Sequence, residues 1–146
     1  MKKNTLDEIA MVRRGQEVIK LETQALNLLA ANLDNNFAFA ASLILKGARQ
    51  LVVTGLGKSG HIARKIAATF AATGTPAIFL HPSEAAHGDM GMIAKGDVLL
   101  VLSNSGNTPE LQPVMKYAQK LGVPIIGIAS GRTSKVIKDA DIALLL

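Results

Sequence analysis

Val98-Leu99-Leu100-Val101-Leu102-Ser103-Asn104-Ser105-Gly106-Asn107-Thr108-Pro109-Glu110 decides how the chain folds. Five consecutive apolar residues run without a break into a cluster of hydroxyls, amides and one glycine. A strand so uniformly apolar is buried on both faces, which belongs to a parallel sheet covered by helices on each side. The polar cluster marks the strand's carboxyl end, and the pattern from Thr108 to Leu121 predicts a helix opening from it. Pro109 suits a first helical turn, and Pro113 still falls close to it.

The same rhythm extends in both directions. Leu51–Thr54 predicts a strand that runs into Gly55-Leu56-Gly57-Lys58-Ser59-Gly60, followed by a helix over Ser59–Thr73. Further strands are expected over Ala77–Leu80, Ile125–Ala129 and Ile142–Leu146, with a short helix over Thr133–Lys138. The fold class is α/β: a doubly wound, flavodoxin-like, five-stranded parallel sheet. Before it, Thr5 and Glu8 suggest a capping box for a helix carrying Ile9, Val12, Ile19, Leu26, Leu29 and Leu33 at broadly helical spacing. Asp34–Asn36 can cap a second helix over Phe37–Lys46, which Gly47 can end. These two helices are too apolar for a solvated arm, so they pack on their own domain or on another subunit.

Composition narrows the functional classes. The 146 residues fit one domain, and without cysteine there are no disulfides, thiolate chemistry or Cys-based zinc sites. The formal charge of +5 is scattered from Lys2 to Lys138, and one Tyr, four Phe and no Trp offer little for base stacking, so nucleic acid is not an expected partner. Apolar runs fall far short of the ~20 residues a membrane span needs. Met1-Lys2-Lys3-Asn4 leads into an amphipathic stretch rather than a signal core, so a cytoplasmic location is the expectation.

Open α/β sheets bind ligands beyond the carboxyl ends of their strands. Two strand ends here carry glycines where the backbone must turn and hydroxyls beside free helix N-terminal amides: Gly55–Gly60 and Ser103–Thr108. That chemistry suits a phosphate. Gly55, Gly57 and Gly60 satisfy a dinucleotide-binding spacing, but the acidic residue expected at the end of the next strand is missing from Leu80-His81-Pro82. A P-loop would need glycine where Val52 stands. A merely structural turn could account for one such loop, and accounts poorly for two. Glu110 can act as a proton-transfer group at the rim or merely complement a helix dipole. Lys58 can meet a phosphate or a developing enediolate, or remain a solvated loop lysine. His81, Glu84, His87 and Asp89 could move protons or bind a metal, although their spacing matches no zinc signature, and no metal site is expected. His61 reads as a packing or surface residue.

Gly55-Leu56-Gly57-Lys58-Ser59-Gly60-His61, His81-Pro82-Ser83-Glu84-Ala85-Ala86-His87-Gly88-Asp89 and the Ser103–Glu110 segment together resemble a sugar isomerase (SIS) domain. Among SIS proteins the resemblance is greatest to the bacterial D-arabinose-5-phosphate isomerases, and it covers essentially the whole chain. It implies interconversion of D-arabinose 5-phosphate and D-ribulose 5-phosphate without a cofactor, supplying 3-deoxy-D-manno-octulosonate for lipopolysaccharide. Gly57, Ser59, Ser103, Ser105 and Thr108 would then bind substrate, Asn104 would assist through its backbone, and Lys58 and Glu110 would match positions implicated in catalysis. His87 would match a histidine near the site, within reach of a neighbouring subunit's pocket, in a homo-oligomer that is typically tetrameric.

The resemblance also sets an expected organisation. Residues 1–146 form one domain, with N-terminal helices over 1–48 and an α/β core over 50–146. The sequence stops inside an apolar strand, and the resemblance implies that further helices and a pair of CBS modules follow, so the 146 residues alone are expected to bind substrate but turn it over poorly. Two alternatives stay open: a regulatory SIS domain that senses a sugar phosphate, and an isomerase for another sugar phosphate. The first lacks a convincing helix-turn-helix in residues 1–50, and the Glu84–Asp89 segment argues against the second.

Overall fold

A computed structural model describes residues 7–146. They fall into two compact units divided between Leu33 and Asp34. The first unit holds one long helix, α1 (Glu8–Asn32), capped by the Asp7 carboxylate, which accepts from the Ala10 amide at 3.1 Å. Asp7 thus takes the capping role that the sequence suggested for Thr5, which lies outside the described residues. The helix buries none of its residues, and Ile9, Val12, Ile19 and Leu26 are all more than three-fifths exposed.

The second unit begins with α2 (Asn35–Leu45), capped by Asp34 through the Asn36 amide at 2.8 Å. Then follow β1 (Leu51–Gly55), α3 (Lys58–Ala72), β2 (Ala77–Leu80), α4 (Pro82–Ala86), a 3-10 turn (Asp89–Met92) and β3 (Val98–Leu102). The chain continues through α5 (Leu111–Leu121), β4 (Ile125–Ala129), α6 (Lys135–Lys138) and β5 (Ile142–Leu145). All five strands are parallel, in the order β2-β1-β3-β4-β5. Sequence and structure agree on every strand to within one residue.

The central strands divide their side chains between two cores. Val52, Leu99, Val101 and Ile125 meet Leu111, Val114 and Met115 of α5 on one face. Leu51, Val53, Val98, Leu100 and Ile126 meet Ala40 of α2 and Ala63 and Ala67 of α3 on the other. Double burial explains the unbroken apolar runs, because neither face of β1 or β3 reaches water. Thr54 is the polar exception inside β1, and it donates its hydroxyl to the Leu80 carbonyl at 2.8 Å.

The amino-terminal edge of the sheet is pinned by ionic and polar contacts. Buried Asp97 receives the guanidinium of Arg49 at 2.9 Å on each oxygen, and its Oδ2 also accepts from the Ala94 amide. Asp141 similarly accepts from the Ile125 amide at 2.8 Å. The opposite, carboxyl edge carries the hydroxyl-rich loops. No single helix among the described residues is long and apolar enough to cross a membrane.

Candidate functional site

Gly55 and Leu102 are register partners in β1 and β3, so the loops that follow them leave the sheet side by side. The first loop turns at once into α3. A Cβ on Gly55 would lie 2.9 Å from the Ser59 carbonyl and 3.0 Å from that of Leu102, and one on Gly60 would lie 2.7 Å from the Gly55 carbonyl. Only glycines let strand, loop and helix start come this close. Gly57 caps α3 with no side-chain hydrogen bond, so no capping group competes for the helix's first amides. Lys58 and Ser59 occupy that first turn.

The second loop folds on itself. The buried Ser103 hydroxyl accepts from the Gly106 amide at 3.1 Å and pairs with the Thr108 hydroxyl at 2.8 Å. One hydroxyl proton serves that pair, which leaves the other for a ligand. The exposed Ser105 hydroxyl accepts from the Asn107 amide at 3.3 Å. Gly106 has φ +68°, and a Cβ there would collide with the Ser134 side chain.

Between the loops lies a cavity of about 210 Å³ with Lys58, Ser59, Ser103 and Asn104 in its wall. Ile62, Leu102, Ile128 and Leu146 supply its apolar side. Its exposed surface is mostly apolar, and its polar members are Lys58 and Ser59 from the first turn of α3 and Ser103 and Asn104 from the second loop, groups able to donate to an anion. Gly57, Ser105 and Thr108 do not line the cavity, although the Thr108 hydroxyl pairs with that of Ser103 and Gly57 caps α3. Glu110 and His87 stand apart from this wall. Glu110 is exposed at the N-cap of α5, one residue before the helix, because Pro109 and Glu110 form a turn closed by the Leu111 amide on the Thr108 carbonyl at 3.3 Å and the Gln112 amide on the Pro109 carbonyl at 3.1 Å. His87 is exposed at the C-cap of α4. His81 acts locally, since its Nδ1 accepts from the Ser83 amide at 3.3 Å and so caps α4. Among the described residues, no three or more of His, Asp and Glu gather as they would around a metal ion.

Sequence reasoning missed the support behind the second loop. The Ser130 amide donates to the Asn104 carbonyl at 3.0 Å, the Val136 amide to the Gly106 carbonyl at 3.0 Å, and the Lys135 amide to Asn107 Oδ1 at 3.1 Å. A signal was present: Ala129-Ser130-Gly131 is a third strand end running into hydroxyl and glycine.

The chain is similar to known proteins in sequence and in fold. Residues 44–146 match the family model for the SIS domain. The chain is 43% identical over 141 residues to arabinose 5-phosphate isomerase KdsD of Pseudomonas aeruginosa, covering 97% of this chain and 43% of that protein. It is also 43% identical over 130 residues to the protein of the same name from Escherichia coli K12, covering 89% of this chain and 40% of that one. The chain therefore spans less than half the length of these curated relatives. A solved structure of an Escherichia coli CFT073 protein in complex with arabinose 5-phosphate superposes with a TM-score of 0.89 at 33% identity, covering 96% of this chain and 74% of that one.

Gly106→Ala tests the second loop directly. A side chain at positive φ, driven into Ser134, should cost roughly 1–3 kcal/mol of stability, read as a lowered denaturation midpoint. An unchanged midpoint would mean that the loop does not pack against Ser134 as described.

Proposed function

The chain belongs to the SIS-domain family, and from that footing we propose that it is the sugar-phosphate-binding core of an arabinose-5-phosphate isomerase. The observation that carries this reading is the convergence of Lys58 and Ser59 from one strand end with Ser103 and Asn104 from its neighbour around a single cavity. In this reading the phosphate dianion lies between the loops, held by Ser59, Ser103, Ser105 and Thr108 and by backbone amides at Gly57 and Asn104. The identity to relatives named arabinose 5-phosphate isomerase supports the choice of sugar.

The reaction needs no net redox change. After ring opening, C2 loses a proton while O1 gains one, which gives a cis-enediol. C1 then gains a proton while O2 releases one, which gives the ketose. Glu110 is assigned the carbon-bound proton, and Lys58 the negative charge on the enediolate oxygen. His87, which does not line this cavity, is assigned to a neighbouring copy's site.

The whole protein is thus assigned the interconversion of D-arabinose 5-phosphate and D-ribulose 5-phosphate in the cytoplasm, without a cofactor, toward 3-deoxy-D-manno-octulosonate. The 146 residues alone are assigned substrate binding with little turnover. The apolar surface of α1 supports association of copies into a dimer or tetramer, with neither nucleic acid nor membrane as partner.

Three measurements test this reading. Ser105→Ala should weaken arabinose 5-phosphate binding by about 1.5–3 kcal/mol, the worth of a hydrogen bond to a charged group; calorimetry giving the parent affinity would remove Ser105 from the phosphate site. In the full-length protein, Glu110→Gln should slow isomerisation by about 10²–10⁴-fold, and near-normal turnover would place the base elsewhere. Light scattering should report a dimer or larger, and Ile19→Asp in α1 should lower the assembly state. A monomeric parent protein would refute the assignment of α1.

A further inference from the structure

The loop after β4 makes contacts out of proportion to its length. Ser130 holds Asn104 twice: its amide donates to the Asn104 carbonyl at 3.0 Å and its hydroxyl donates to Asn104 Oδ1 at 2.8 Å. A Cβ on neighbouring Gly131 would lie 3.0 Å from the Ser105 carbonyl, so the two backbones run in contact. Buried Ser134 presses its side chain against Gly106, and its Oγ has no hydrogen-bond partner. That hydroxyl is held by packing rather than by a bond of its own. The first amides of α6 then take the Gly106 carbonyl and the Asn107 side chain.

The double hold on Asn104 has a chemical consequence. A primary carboxamide presents an acceptor oxygen and two N–H donors. With the oxygen occupied by the Ser130 hydroxyl, the NH₂ group is the end left for a ligand, and Asn104 lies in the wall of the cavity. An acceptor facing an anion would repel it, whereas a donor attracts it. We propose that Ser130 is a positioning residue that fixes the Asn104 carboxamide as a donor toward the bound sugar phosphate. This role rests on the reading of the two loops as a sugar-phosphate site. It adds to the backbone contact assigned to Asn104 a side-chain contact, set by a residue that does not itself line the cavity.

Ser130 is exposed, and its substitution leaves the core untouched. The test is isothermal calorimetry of arabinose 5-phosphate on the chain and four variants: Ser130→Ala, Ser130→Thr, Asn104→Ala and the double variant Ser130→Ala with Asn104→Ala. Ser130→Ala should weaken binding about three- to tenfold, the worth of one neutral hydrogen bond, with an unchanged melting temperature. Ser130→Thr, which keeps the hydroxyl, should restore affinity. In the Asn104→Ala background the Ser130→Ala change should cost nothing further, because the two residues act as one unit. Parent affinity in Ser130→Ala, or an equal added loss in the Asn104→Ala background, overturns the role of Ser130. Ser105→Ala separates the two levels: weakened binding there beside an unaffected Ser130→Ala leaves the phosphate site standing and removes only its positioning residue. A parent chain that binds no arabinose 5-phosphate removes both.

Discussion

Parallel pairing of β1 with β3 brings Gly55 opposite Leu102, and the chemistry of the carboxyl edge depends on that register. The two strands are neighbours in the sheet without being consecutive in the chain, which leaves β1 to build α3 and β2 before it returns as β3. That excursion is why order reverses here: β2 lies on one side of β1, and β3, β4 and β5 follow on the other. Helices on either side of such a reversal diverge to opposite faces of the sheet, which opens a crevice between the loops that lead into them. The burial of Leu51, Val53, Leu99 and Val101, none of them exposed, holds the register. A slip by one residue would exchange the two cores and turn every side chain to the wrong face.

The strands were legible in the sequence because burial on both faces leaves a signal that needs no periodicity. Val98–Leu102 and Ile125–Ala129 are bounded as the apolar runs suggest. Helix starts were less legible, since capping is decided by single side chains. Asp7 caps α1, and the hydroxyl-rich approach to α5 places Pro109 and Glu110 in a turn before the helix begins at Leu111. Two loops of the candidate site could be read because glycine and hydroxyl residues cluster locally. The brace behind them could not, because Ser130 reaches Asn104 across 26 residues and no local pattern encodes that contact.

Charge and helix geometry act together at the cavity. The start of α3 directs unpaired amides outward, and Lys58 stands in its first turn. A carboxylate at Glu110 sits at the corresponding end of α5, where it complements that helix's dipole. The two helix starts therefore differ: one offers an anion a lysine and open amides, the other already carries a negative group.

Preorganisation follows from how the second loop meets its own hydrogen-bonding needs. Ser103, Gly106 and Thr108 are joined before any ligand arrives, and residues from Ser130 to Val136 hold the same segment from behind. Ordering a loop rich in glycine is entropically costly, and here that ordering happens during folding rather than during binding. The apolar wall of Ile62, Leu102, Ile128 and Leu146 adds a second effect, because donors beside low-dielectric side chains attract an anion more strongly than they would in open water. The polar groups of the second loop are thus held in place beside a largely apolar cavity surface by the fold itself.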